Sequence, residues 1–212
     1  MDIFCMILLL FLRLHTTGFE LQSGDLIFQE SQSGEVGKAI KGVTSSIGEY
    51  RFTHVGIVYI DNRKDTFVIE ATHPAVSITP LQAYLYPPEA KGGYPVSVVG
   101  RLRPEYRPCI PRALEEGLKL VGKKYDDGYD LDNDAYYCSE LIYVILKRAN
   151  GGKPVFPLNR MTFKAPGSDE FLPEWVAYFR RLNLPIPEGK PGINPGAMSR
   201  SEVIEIIHSI QE

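Results

Sequence analysis

The chain has 212 residues, 44% hydrophobic, 23% charged and 11% aromatic, which excludes a disordered, collagen-like or coiled-coil protein and makes one globular domain the default. Twenty-three basic against twenty-six acidic side chains leave a formal net charge of -3, which offers no broad cationic face to phosphates, so nucleic acid is not an expected partner.

Ile3 to Leu12 (IFCMILLLFL) form an apolar run that is too short to cross a bilayer but has signal-peptide length. Residues 1–17 are therefore read as a signal peptide and 18–212 as one exported domain, periplasmic or extracellular. Asp2 with no early Lys or Arg, and no A-x-A site, argue for the opposite reading, a first core element. Cleavage would leave Cys109 and Cys138, which either stay free or form one disulfide.

Gly24 to Phe28 reads as a turn entering a strand, and Ser31 to Ser46 as a weak helix or loop. Phe52 to Ile60 (FTHVGIVYI) and Thr66 to Thr72 (TFVIEAT), rich in β-branched and aromatic residues, flank the charged turn Asp61 to Asp65 and predict a hairpin. Val96 to Leu102 predicts a further strand, and Pro111 to Val121 a helix behind an N-terminal proline. Leu141, Ile142, Ile145, Leu146 and Ala149 recur at helical spacing, with Gly151-Gly152 as the stop. The proline-rich stretch to Ala197, with Phe163, Phe171, Trp175, Tyr178 and Phe179, predicts ordered loop with short helical turns. It either walls an apolar pocket or forms a satellite core. Ser199 to Glu202 has the pattern of a capping box ahead of Val203, Ile204, Ile206, Ile207 and Ile210, so an amphipathic helix is expected to end the chain.

The hairpin makes a testable statement about chemistry. Whether Tyr59 faces Asp65 or Ile60 faces Thr66, His54 and Glu70 share one face, directly opposed or diagonal, and a carboxylate can then hold the imidazole. A slip of one residue would part them. Gly56 on that face leaves room beside His54. The bland reading makes His54 a core histidine on a backbone carbonyl and Glu70 a surface carboxylate. Cys138, in the first turn of the helix to Asn150, sits where free N–H groups and the helix dipole favour a thiolate. It is otherwise a buried structural cysteine. Of the four histidines, only His54 lies mid-strand beside a carboxylate. A Cys138–His54–Glu70 triad for carbonyl chemistry follows, with His73 as the reserve base. No C-x-x-C, H-x-x-x-H or Walker loop occurs, and Asp126 to Asp134 lacks calcium-loop spacing. Neither a metal nor a cofactor is expected.

These motifs, Gly24-Asp25-Leu26, His54-Val55-Gly56, Val68-Ile69-Glu70-Ala71, Gly122 to Asp126 and Tyr137-Cys138-Ser139-Glu140-Leu141, resemble the NlpC-type papain-like cysteine hydrolases. The cysteine helix here follows the other motifs instead of preceding them, as in the circularly permuted YiiX-like branch, which Pro187 to Gly196 also resembles. The resemblance implies an α+β papain-like fold in permuted order, with a small antiparallel sheet on the cysteine helix. It implies Cys138 as nucleophile, His54 as base, Glu70 as orienting residue and Tyr125 near the oxyanion. Ser139 and Trp175 are further candidates for oxyanion or substrate binding, and the Cys138 backbone N–H for the oxyanion. The implied substrate is a small-molecule, acylated, lipid-like or cell-wall peptide amide or ester, with peripheral association with envelope or lipid as a companion expectation. Acyl transfer of the lecithin–retinol type and a silent ligand-binding module are the alternatives.

Overall fold

The computed structural model describes residues 19–210 apart from 33, 89, 91 and 92, so the signal-peptide reading falls outside the described residues. Its frame is a six-stranded antiparallel sheet in the order β4-β3-β2-β1-β5-β8. The strands are β1 (Leu26–Glu30), β2 (His54–Ile60), β3 (Thr66–Ala71), β4 (Val76–Pro80), β5 (Val96–Leu102) and β8 (Ile204–Ser209). Two short strands, β6 (Asn159–Arg160) and β7 (Pro191–Gly192), pair separately. The helices are α1 (Glu35–Val43), α2 (Leu81–Leu85), α3 (Ile110–Leu120), α4 (Cys138–Ala149), α5 (Pro173–Leu182) and α6 (Pro195–Ser199).

Side chains alternate across the sheet, and each face has its own core. Leu26, Phe28, Val55, Ile57, Ile69, Ala71 and Val98 join the large core beneath α3 and α4. Ile27, Val58, Val68 and Val99 join Tyr84 and Leu85 of α2 in a smaller one. The strands are thus apolar on both faces, which is why they read as near-continuous β-branched runs. Helix α4 buries Leu141, Ile142, Ile145 and Leu146 completely. It stops where Gly151 turns left-handed (φ 64°) and Gly152 N–H donates to Lys147 O at 2.9 Å, a Schellman closure that glycine makes without a Cβ penalty.

The chain does not end in a helix. Its last described segment is the edge strand β8, and Ser199 belongs to α6, where its hydroxyl donates to Gly196 O (2.8 Å) and accepts from Ile47 N (3.1 Å). Pairing with β5 places Gly100 opposite Ile206 and Val99 opposite His208, so Ile207 is the extra residue of a bulge. Ile204 and Ile206 reach the large core and Ile207 the small one. Both faces of β8 are thus apolar, and its adjacent isoleucines give a run whose spacing imitates that of a helix. Strand β4 and helix α2 carry no expectation from the sequence, and α5, at ten residues, is longer than the short turns expected there.

Candidate active site

The hairpin adopts the register with Ile60 opposite Thr66, so Gly56 faces Glu70 and His54 is its diagonal neighbour. The His54 ring bridges the remaining distance, and its Nε2 donates to Glu70 Oε2 at 2.6 Å. Glu70 Oε1 accepts from Thr79 Oγ1, also at 2.6 Å, so both carboxylate oxygens are held. Thr79 comes from β4 and is absent from the sequence-derived set; its only signal is the alternation Val76-Ser77-Ile78-Thr79. The room expected beside Gly56 is filled: a Cβ there would stand 2.3 Å from Val68 Cγ1 and 3.2 Å from Tyr84 Cε2. The glycine lets the α2 tyrosine close over the strand, where its ring centroid lies 5.8 Å from that of His54.

His54 opens β2 at the end of the sheet, near enough to the Cys138 side chain for that group to raise its pKa. Burial disfavours the imidazolium, but the contacts with Cys138 and Glu70 outweigh it and push His54 up to about 10. Burial likewise opposes ionisation of Glu70, and the bonds from His54 and Thr79 overcome it and lower its pKa. Cys138 is the first residue of α4 and 6% exposed. A backbone N–H at this helical position has no intrahelical acceptor. Glu140 Oε2 accepts from Tyr137 N (3.2 Å), closing the helix start, while burial pushes the Glu140 carboxyl up to about 8.

Cys138 lines a cavity of about 250 Å³ with Tyr125, Tyr129, Phe163, Trp175, Ile40, Val43 and others. Tyr125 therefore lies at the cavity, with the His73 ring tilted against it at 39° and 4.3 Å between centroids. Tyr129 carries a left-handed φ of 53°, unusual for a bulky side chain. The buried Asp126 carboxylate stabilises that turn by accepting from Gly128 N (2.9 Å) and Asp130 N (2.6 Å). The acidic stretch thus serves loop structure and directs Tyr129 into the ring cluster with Phe163, Trp175, Tyr178 and Phe179. The expected satellite core is corrected, since these rings belong to the main core, and three of them also wall the cavity. Ser139 also lines the cavity, where its hydroxyl donates to Ile193 O at 3.0 Å and fixes the segment that precedes α6. His73 Nε2 faces Asp127 at 3.3 Å. Cys109 and Cys138 are both free thiols, and Cys109 Sγ donates to Tyr106 O.

A thiol at a helix N-terminus near a histidine bonded to a carboxylate, both on strands that precede that helix in the chain, defines a permuted papain-like cysteine site. A family model described as "Permuted papain-like amidase enzyme, YaeF/YiiX, C92 family" matches residues 20–208, and the chain belongs to that family. It is 33% identical over 147 residues to "Uncharacterized protein YiiX" of Escherichia coli strain K12, covering 69% of this chain and 67% of that protein. A solved structure described as metalloprotein yiiX from Escherichia coli O157:H7 matches with a TM-score of 0.69 at 26% identity, covering 90% of this chain and 98% of that one. Among the described residues, no group of three His, Cys, Asp or Glu side chains is arranged to hold a metal ion, so the donor set here does not fit a resident ion.

Proposed function

We propose that this family member is a thiol amidase in which Cys138, His54 and Glu70 act as nucleophile, acid–base and orienting carboxylate. The observation that carries the reading is an imidazole bonded to Glu70 at 2.6 Å, with Cys138 near enough to raise its pKa. In this reading the Cys138 thiolate attacks the amide carbonyl carbon, and the oxyanion is met by the Cys138 N–H and the Tyr125 hydroxyl. The C–N bond breaks as His54 gives its proton to the leaving amine, leaving an acyl thioester. His54, now neutral, takes a proton from water, whose oxygen attacks the thioester and releases the acid and Cys138. Glu70, fixed by Thr79, keeps the ring turned toward the sulfur. Ser139 supports the segment that borders the cavity, and Trp175 shapes its wall. The aromatic wall suits an amide with an apolar part, such as an acylated amino acid or a cell-wall peptide.

Iodoacetamide labelling tests the nucleophile. Rapid alkylation of Cys138 below pH 7, lost in His54→Ala, is expected; slow labelling that is the same in both proteins would overturn the reading. Screening acylated amino acids and cell-wall peptides for released acid then separates hydrolysis from transfer to another acceptor.

A further inference from the structure

The charge on the cavity wall is one-sided. Although the chain carries more acidic than basic residues, the described residues lining the Cys138 cavity include no Asp, Glu or Lys, and two arginines, Arg160 and Arg200. Arg160 Nη1 donates to Gly189 O at 3.2 Å, which anchors that side chain and leaves its other donors to solvent. Arg200 caps the C-terminus of α6, is exposed, and has no side-chain hydrogen bond or ion pair among the described residues. Two further polar atoms on the same wall lack partners. The indole Nε1 of Trp175, a residue 2% exposed, and Asn159 Oδ1 are both buried without a hydrogen bond. The orientation of the Asn159 amide is fixed because its Nδ2 donates to Arg160 O at 3.1 Å. Buried polar groups in folded proteins are nearly always satisfied, so such a pair calls for a ligand or solvent.

We propose that this cavity selects a carboxylate-bearing amide: Arg200, helped by Arg160, receives the carboxylate, and the Tyr129–Phe163–Trp175 wall takes the apolar part. The planar guanidinium fork matches a carboxylate in two parallel hydrogen bonds, and an unpaired arginine on the rim makes that bond without first breaking another. Asn159 Oδ1 accepts from the substrate amide N–H, and the Trp175 N–H donates to a substrate oxygen. Arg200 is a specificity residue in this scheme. The inference rests on the amidase reading of the same site and names its substrate class.

The test compares two alkylating agents of nearly equal shape, iodoacetate and iodoacetamide. Their rate ratio at Cys138, divided by the ratio at 2-mercaptoethanol, is expected to exceed one by roughly three- to sixfold, the effect of one unit charge at about 4–6 Å in water. Arg200→Ala should bring the ratio toward one, Arg200→Lys should retain most of it, and 0.5 M salt should shrink it. A normalised ratio of one in the native protein, or one unmoved by Arg200→Ala and Arg160→Ala together, would overturn the proposal. Protection from iodoacetamide gives a second arm. N-acetylphenylalanine should protect Cys138 several-fold better than its neutral amide, and Arg200→Ala should remove the difference. Equal protection by the two, or better protection by phenyl phosphate, overturns the carboxylate assignment. Because the ratio is read within one thiol, it is measurable even if alkylation is slow, so failure of the amidase reading and failure of this inference are told apart. Arg200 is exposed and outside the core, so its replacement leaves the fold intact, which a near-ultraviolet circular dichroism spectrum verifies.

Discussion

Replacing Glu70 by Gln removes one charge from the site and leaves its geometry nearly intact. The Gln carbonyl oxygen can accept from His54 Nε2 as Glu70 Oε2 does at 2.6 Å, and the Gln amide can donate to the Thr79 hydroxyl, which turns from donor to acceptor. What changes is the strength of the bond to the imidazolium. A hydrogen bond between ionised partners is roughly twice as strong as a neutral one, a difference of about 1–2 kcal/mol, and about 1.4 kcal/mol corresponds to one pKa unit. His54, held up to about 10 by Cys138 and Glu70 together, should therefore fall by roughly one unit in Glu70→Gln. The assay is the pH dependence of Cys138 alkylation, paired with an NMR titration of the imidazole. The alkaline limb should shift down by about one unit, and the rate at neutral pH should fall by no more than roughly tenfold. An unchanged His54 titration, with the amide shown to bond to the ring, would refute the claim that the Glu70 charge holds up the imidazolium.

Gly56→Ala places a methyl 2.3 Å from Val68 Cγ1 and 3.3 Å from the Ile69 carbonyl, and should cost about 1–3 kcal/mol in urea unfolding, partly recovered by adding Val68→Ala. Arg101 grips the buried Asp25 carboxylate with two bonds, Nε to Oδ1 at 2.7 Å and Nη2 to Oδ2 at 2.8 Å. Arg101→Ala leaves that carboxylate its bond from Gln22 N (2.8 Å) but no counter-charge, and should destabilise by about 3–5 kcal/mol, read as a lowered melting temperature. The site also links stability to pH. Since His54 is raised from 6.5 to about 10, its contribution is complete below about 6.5 and is lost as the pH rises toward 10. The Glu70 contribution has the opposite sense, present above the ordinary value of 4.5 and lost as pH falls through its lowered folded value. The stability gap between the native protein and His54→Gln, measured by urea midpoint, should be wider at pH 6 than at pH 10.5.

Local chemistry wrote the hairpin and the cysteine helix into the sequence. The charged turn at Asp61 to Asp65 leaves few registers, and each keeps His54 and Glu70 on one face, because side chains alternate with a period of two. The glycine pair after Asn150 and the apolar spacing from Leu141 bound α4, and Cys138 falls at its first position. The order of the motifs along the chain likewise carries the permuted fold without reference to any contact. Tertiary structure decided the rest. An isoleucine-rich tail became β8 because β5 offered an open edge and each sheet face an apolar core, a choice made by a partner far away in the chain. Thr79 became a support for Glu70 only through the pairing of β3 with β4. Ser139 lines the cavity, and its hydroxyl is held there by Ile193 O, a residue 54 positions further along the chain. That cavity collects Ile40, Thr53, Tyr125, Asn159, Trp175 and Arg200 from segments with no shared period or motif. A sequence encodes its neighbours along the chain in composition and spacing, but a pocket wall is a meeting of distant segments, and only the closed fold sets which side chains face one another across it.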